Sequence, residues 1–247
     1  YLTLTMHDIY TFAKEVQIDD VKELLDQMIA CNTAIAQEGM HGDYGANIGK
    51  VIAIRKDLPS LLKAYAAAGS DARMNGCELP VVINSGSGNQ GLTVSVPLII
   101  YAEREHLDKE KLYRALVISN LTAIHLKTEI GRLSAFCGAV SAGAACGAGL
   151  AYLKDASEEV MNHTIVNALA ITSGIICDGA KASCAAKIAV SVEAGILGYD
   201  MYMNGQQFYG GDGIISKGIE NTIHNIGVLG SQGMASTDQE IIKIMCE

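Results

Sequence analysis

The sequence predicts a mainly α fold on three observations. Apolar residues recur at spacings of three and four through most of the 247 positions, two long stretches carry no charge, and only residues 80–84 form a β-branched run. With 49% hydrophobic and 18% charged side chains, the chain can bury a sizeable core as one large domain or two small ones. The expectation is a helical domain with buried Ala/Gly-rich helices and at most a small β element.

Taken in order, residues 6–40 read as helix, with Val21, Leu24, Leu25, Met28 and Ile29 on one face and Asp19 and Asp20 suited to the start of a second helix. Residues 41–45 read as a turn, followed by a helix to about Lys56 and another at Pro59, a residue tolerated at helix starts. Asn75 and Gly76 close that region. Residues 80–84 are a strand or an extended lead into the glycine-rich stretch 85–91. Helices are then expected over 90–106, 108–129, 133–153, 157–176, 182–203, 216–225 and 238–245, with Pro97 kinking the first of them. Turns fall at Gly131 and 177–181, and a glycine-rich loop at 204–213. Neither a repeat nor a charged tail interrupts the pattern.

The formal charge of −9 argues against a nucleic-acid partner, since neutralising phosphates takes a surplus of Lys and Arg. Residues 133–153 and 160–177 lack Asp, Glu, Lys and Arg, which raises the membrane question. The first stretch is mostly Ala, Gly, Ser and Cys, which gain little in lipid, and the second carries Asn162, His163 and Asn167; both read as buried core helices, with no membrane partner. Seven cysteines is an odd number, and no secretory segment is visible, so reduced thiols or metal ligands in a cytoplasmic protein are expected rather than disulfides. The first residue is Tyr1, which leaves open a processed or partial chain.

Gly86, Gly88 and Gly91 satisfy G-x-G-x-x-G between an apolar run and a helix, as in a dinucleotide-binding turn. A second strand ending in an acid about 20 residues later is also required. Here that distance falls in a charged helical stretch, which disfavours the nucleotide. Ser85, Ser87, Asn89 and Gln90 instead add side-chain donors to backbone N–H groups at a helix N-terminus. Such a loop either binds a small anion, a substrate carboxylate among them, or serves only as a tight turn that caps the helix.

Cys137 stands in F-C-G-A-V, and Cys177 and Cys184 flank a turn as C-x6-C. A thiol near a helix start has its thiolate favoured by the dipole, and three ligands from two separated segments can hold a cubane cluster with one iron open. Metal-free buried thiols are the alternative. Cys146 lies nine residues beyond Cys137 and faces the opposite side of a continuous helix, so it reads as core. Cys31 reads as a small buried hydrophobe, Cys77 as a loop residue and Cys246 as a terminal one.

Four segments in order, N-S-G-S-G-N-Q-G at 84–91, G-R-L-S-A-F-C-G at 131–138, C-D-G-A-K-A-S-C at 177–184 and N-I-G-V-L-G-S-Q-G-M at 225–234, resemble the iron-sulfur L-serine dehydratase α-chain family, most closely its L-cysteine desulfidase branch. The resemblance runs over nearly the whole chain. It implies that Cys137, Cys177 and Cys184 bind a [4Fe-4S] cluster, that Ser85, Ser87, Asn89 and Gln90 grip the substrate carboxylate, and that Lys127 and Arg132 are catalytic candidates beside the cluster. It also implies a catalytic domain whose upstream half, with a Cys-Thr-Glu-Pro motif, is absent from residues 1–247; an upstream segment or partner chain and a homo-oligomer are expected.

The implied reaction is α,β-elimination from a small L-amino acid without pyridoxal phosphate, giving pyruvate, ammonia and hydrogen sulfide from L-cysteine, or water in place of sulfide from L-serine. His125, His163 and Lys181 are further possible bases. Two readings of other kinds stay beside it: a nicotinamide-dependent oxidoreductase on the G-x-G-x-x-G loop, and a structural domain without a cluster.

Overall fold

A computed structural model describes residues 3–131 and 134–247. Within them the chain forms α1 (Met6–Glu15), α2 (Ile18–His41), α3 (Ile48–Ala53), α4 (Leu58–Met74), α5 (Gly88–Arg104), α6 (Lys109–Ile130), α7 (Gly138–Leu153), α8 (Glu158–Thr172), α9 (Cys184–Met203) and α10 (Ile219–Val228), then a π-helical turn (Leu229–Gly233) and α11 (Ala235–Cys246). The fold is mainly α. Only two isolated bridges, Asn84 with Ser87 and Phe136 with Ile176, give it any β character among the described residues.

Local chemistry starts five of these helices, each within a few positions of where the sequence placed it. Thr5 makes a capping box with Asp8, and Asp57, Ser87, Asp108 and Ser157 each accept a backbone N–H of the first turn. Pro59 lies in the first turn of α4, and Pro97 lies within α5.

α7 is the centre of the molecule, packed by α5, α6, α8 and α9. Nearly every one of its residues is buried, which explains a segment that is apolar all round. Its small side chains let backbones touch: a Cβ on Gly195 of α9 would lie 2.6 Å from the Gly143 carbonyl oxygen, and one on Gly147 would lie 2.8 Å from the Gly195 Cα. Cys146 sits in this core at 0% exposure, and complete burial pushes its thiol far up. Cys31 and Cys77 are partly buried and Cys246 is exposed.

Two expected boundaries move for one reason. α7 begins at Gly138 rather than at 133, and α8 ends at Thr172 rather than at 176. The residues released from these helices bind each other: Cys137 N–H donates to the Ile175 oxygen at 3.2 Å and Cys177 N–H to the Ala135 oxygen at 2.6 Å. Elsewhere Glu220 of α10 accepts from His125 of α6 at 2.8 Å and from Met6 N–H at 2.7 Å, fastening α1 to both helices. No described helix is long and apolar enough to cross a membrane.

Candidate functional site

The 80–84 run is not helical and has no partner strand among the described residues beyond the local Asn84–Ser87 bridge. Asn32 of α2, fully buried, takes that role: its side-chain amide accepts from Val82 N–H at 2.8 Å and donates to the Val82 oxygen at 3.2 Å. This supplies the pairing that a buried backbone needs. The chain then turns through Ser85 and Gly86, both at positive φ, while Asn84 and Ser87 exchange backbone bonds of 3.1 and 2.9 Å. Asn84 is itself anchored on Asn120 of α6, at 2.9 Å. Gly91 closes the loop onto the 80–84 run, since a Cβ there would lie 2.0 Å from the Val82 oxygen. A helix follows the G-x-G-x-x-G pattern, but no parallel sheet precedes it among the described residues, so the nicotinamide alternative lacks its scaffold.

The cysteine segments meet this loop across one cavity of about 550 Å³. Cys137 is the N-cap residue of α7 and Cys184 opens α9, where Lys181 N–H points at its Sγ at 3.5 Å. Cys177 is tied between them by the Phe136–Ile176 bridge. Lys187 of α9 holds the turn from below, donating to the Ile176 oxygen at 3.0 Å and pairing with Asp178. All three thiols are free of disulfides and line the cavity; Cys137 is buried, Cys177 and Cys184 half-buried.

Ser85, Ser87, Asn89, Gln90 and Lys127 line the cavity with the three cysteines. Arg132 lies outside the described residues. The alternative bases do not line the cavity: His125 is bound to Glu220, His163 stacks on Tyr202 in a separate cleft, and Lys181, in the turn between Cys177 and Cys184, is exposed. Sequence reasoning missed Arg73 at the end of α4, Lys187, and the α11 residues Asp238, Ile241, Ile242 and Met245, all of which line the cavity. A lone arginine closing the alanine-rich run 64–72 was the one available signal for Arg73.

The electrostatics favour anions. The N-termini of α5, α7 and α9 all face the cavity, three cations line it, and Asp238 is its one acidic residue among those described. Burial raises the Cys137 thiol, and the neighbouring Cys177 and Cys184 add to that, against a backbone N–H from Ala139 and the Lys187 charge. Burial also lowers the Lys127 ammonium toward neutrality, with Cys177 and Cys137 pulling the other way.

A single metal ion has no set of three His, Cys, Asp or Glu ligands close enough to hold it among the described residues. Cubane ligands bind separate irons, so their sulfurs do not converge on one point. Three disulfide-free cysteines on one cavity, next to helix N-termini and cations, offer the ligand type that such a cluster takes. The side-chain oxygen of Gln90, a residue 5% exposed and packed against Gly138, has no hydrogen-bond partner, leaving an unused polar atom beside Cys137.

Comparison with known proteins gives a consistent result. The sequence profile of a family described as serine dehydratase alpha chain matches residues 3–243. A UPF0597 protein of Desulfitobacterium hafniense is 63% identical over 98% of the chain and 57% of its own length. UPF0597 proteins of Finegoldia magna and Lachnoclostridium phytofermentans are 50% and 51% identical, over 100% and 99% of the chain and 60% and 59% of their own lengths. The chain thus spans somewhat over half the length of these relatives. No solved structure matches it.

Proposed function

The chain belongs to the serine dehydratase alpha chain family, and from that premise we propose that it is the cluster-bearing catalytic part of a lyase that eliminates hydrogen sulfide from L-cysteine. The observation that carries this reading is the meeting of Cys137, Cys177 and Cys184 with the glycine-rich loop on one cation-lined cavity. The three thiolates would hold a [4Fe-4S] cluster, which when bound supplies an open iron as Lewis acid for the leaving group.

The remaining roles fall to side chains and backbone. Backbone N–H groups at the start of α5, with Ser85, Ser87, Asn89 and Gln90, bind and orient the substrate carboxylate. Lys127 takes the α-proton at its Nζ; it has no acidic partner among the described residues, whereas Lys187 is paired with Asp178. As the Cα–H bond gives up its proton, the Cβ–S bond breaks and its electron pair leaves on sulfur as hydrosulfide. Aminoacrylate released from the site tautomerises and hydrolyses with one water to pyruvate and ammonia. α11 covers one side with Ile241, Ile242 and Met245, which restricts water around the reacting carbons. The upstream segment or partner chain expected from the family completes the enzyme, and the reading needs no pyridoxal phosphate.

The family's description favours a second reading, L-serine as substrate with water as the leaving group. One assay separates them: pyruvate formed by the anaerobically reconstituted chain, alone and with the remaining length of its relatives restored, from L-cysteine and from L-serine. The expected result is turnover of L-cysteine over L-serine. Lys127→Met is expected to lower it by about 100- to 10,000-fold while iron content holds. No pyruvate from either amino acid, in either form of the protein, would overturn the reading.

A further inference from the structure

Arg73 lies in the last turn of α4 after residues 66–72, all buried, and it emerges half-buried at the cavity. Its Nη1 donates to Asn89 Oδ1 at 3.3 Å, and among the described residues its only other side-chain neighbour in hydrogen-bonding range is the Met74 sulfur at 3.8 Å. No carboxylate pairs with it among the described residues, although acids outnumber bases in this chain and arginines usually find one. The guanidinium lies directly over the glycine-rich loop: a Cβ on Gly88 would stand 2.3 Å from Arg73 Nε. One hydrogen bond to a neutral amide leaves most of its five donors unused.

We propose that Arg73, steadied by Asn89, joins the α5 N-terminus and its loop in binding the substrate's α-carboxylate and so restricts this site to free amino acids. The proposal deepens the elimination reading and rests on it. A planar guanidinium makes two parallel charge-assisted bonds to a carboxylate, a geometry that lysine or a backbone N–H does not reproduce. The α5 N-terminus faces the same space, so the carboxylate sits between a cation and a helix end. Amines without a carboxylate, and amino-acid esters, lack what the arginine reads. Gly88 then has a second duty besides the turn, which is to leave room for the guanidinium.

The test uses L-alanine, which has the carboxylate and amine but no leaving group, so that binding is read by calorimetry on the reconstituted chain whether or not it turns over. Wild-type protein is expected to bind L-alanine and to reject ethylamine and L-alanine methyl ester. Arg73→Gln is expected to weaken L-alanine binding about 30-fold or more, and Arg73→Lys to restore only part of it. Gly88→Ala, which keeps the arginine but displaces it, is expected to weaken binding as well. If Arg73 only stabilised the end of α4, the variants would lower the melting temperature and leave L-alanine affinity unchanged, and that result overturns the proposal. Wild-type protein that binds the ester as well as L-alanine, or that binds neither, also overturns it.

Failure of the elimination reading looks different. Arg73-dependent L-alanine binding without any pyruvate from L-cysteine would sustain the carboxylate assignment and sink the reaction. Normal pyruvate formation with an unchanged KM in Arg73→Gln would do the reverse.

Discussion

Cys137→Ser, Cys177→Ser and Cys184→Ser are each expected to lose the iron-sulfur chromophore after anaerobic reconstitution and to cut pyruvate formation by about 1,000-fold or more. Metal Lewis acids supply several kcal/mol of transition-state stabilisation, and each 1.36 kcal/mol is tenfold in rate. Serine is a hard oxygen donor with a high pKa, a poor replacement for a thiolate on iron. The substitution should spare the fold. Cys137 is an N-cap residue, a position where serine is preferred, and Cys177 and Cys184 are only half-buried.

Cys146→Ser is the informative contrast. It puts a hydroxyl into the hydrophobic core at 0% exposure, expected to cost about 1–3 kcal/mol of stability and no iron. Iron quantitation, visible absorbance and thermal melts on the four variants check this. Iron loss in Cys146→Ser equal to that in Cys137→Ser would show that the effect is unfolding rather than ligation.

Gly195→Val is expected to have the largest effect on stability. The first atom of any side chain would fall 2.6 Å from the Gly143 carbonyl oxygen, a backbone atom with no rotamer to change. The helices must therefore part or the variant must unfold. Overpacking costs typically about 1–3 kcal/mol, and here it falls on two rigid backbones, so about 3 kcal/mol or more is expected. For a domain of this size that is a fall in melting temperature of about 10 °C. Because Cys137 caps α7 and Cys184 opens α9, separating them should also lower reconstituted iron. Leu197→Ala, on the exposed side of α9, is the control and should change both quantities little. An unperturbed melt for Gly195→Val would mean that the two helices do not approach as described.

The parts of the fold that were legible in the sequence are those set by local chemistry. Asp108 and Ser157 announce helix starts, and the 3.6-residue pattern places most helices within a few positions. Residues 134–136 look helical from the sequence, while their backbone is used in a long-range bridge to 175–177. For the β-branched run at 80–84 the sequence left a strand and a lead into the glycine-rich stretch open, and the structure takes the second. It has strand composition, but its partner is one asparagine amide on α2, which no local pattern announces.

Within the cavity, the cysteines and the serine-rich loop carried a spacing signal. Arg73, Lys187 and Asp238 did not, since each reaches the site from the flank of a helix whose orientation is decided by packing. The π-helical turn at 229–233 was equally hidden. It presses Gly230 against Ile130 and Phe136, and the Gly230 oxygen accepts from Ser134 Oγ at 2.6 Å, so it braces the cysteine-bearing segment from behind.

Mössbauer spectroscopy of the chain reconstituted with isotopically enriched iron, beside the triple variant Cys137→Ser, Cys177→Ser, Cys184→Ser, addresses the three-thiol cage directly. The expected result is about four irons per chain with about one in four distinct from the thiolate-bound rest, perturbed when L-cysteine is added, and no cluster in the triple variant. A wild-type chain that takes up no cluster, or a triple variant that assembles the same one on its remaining cysteines, would contradict it.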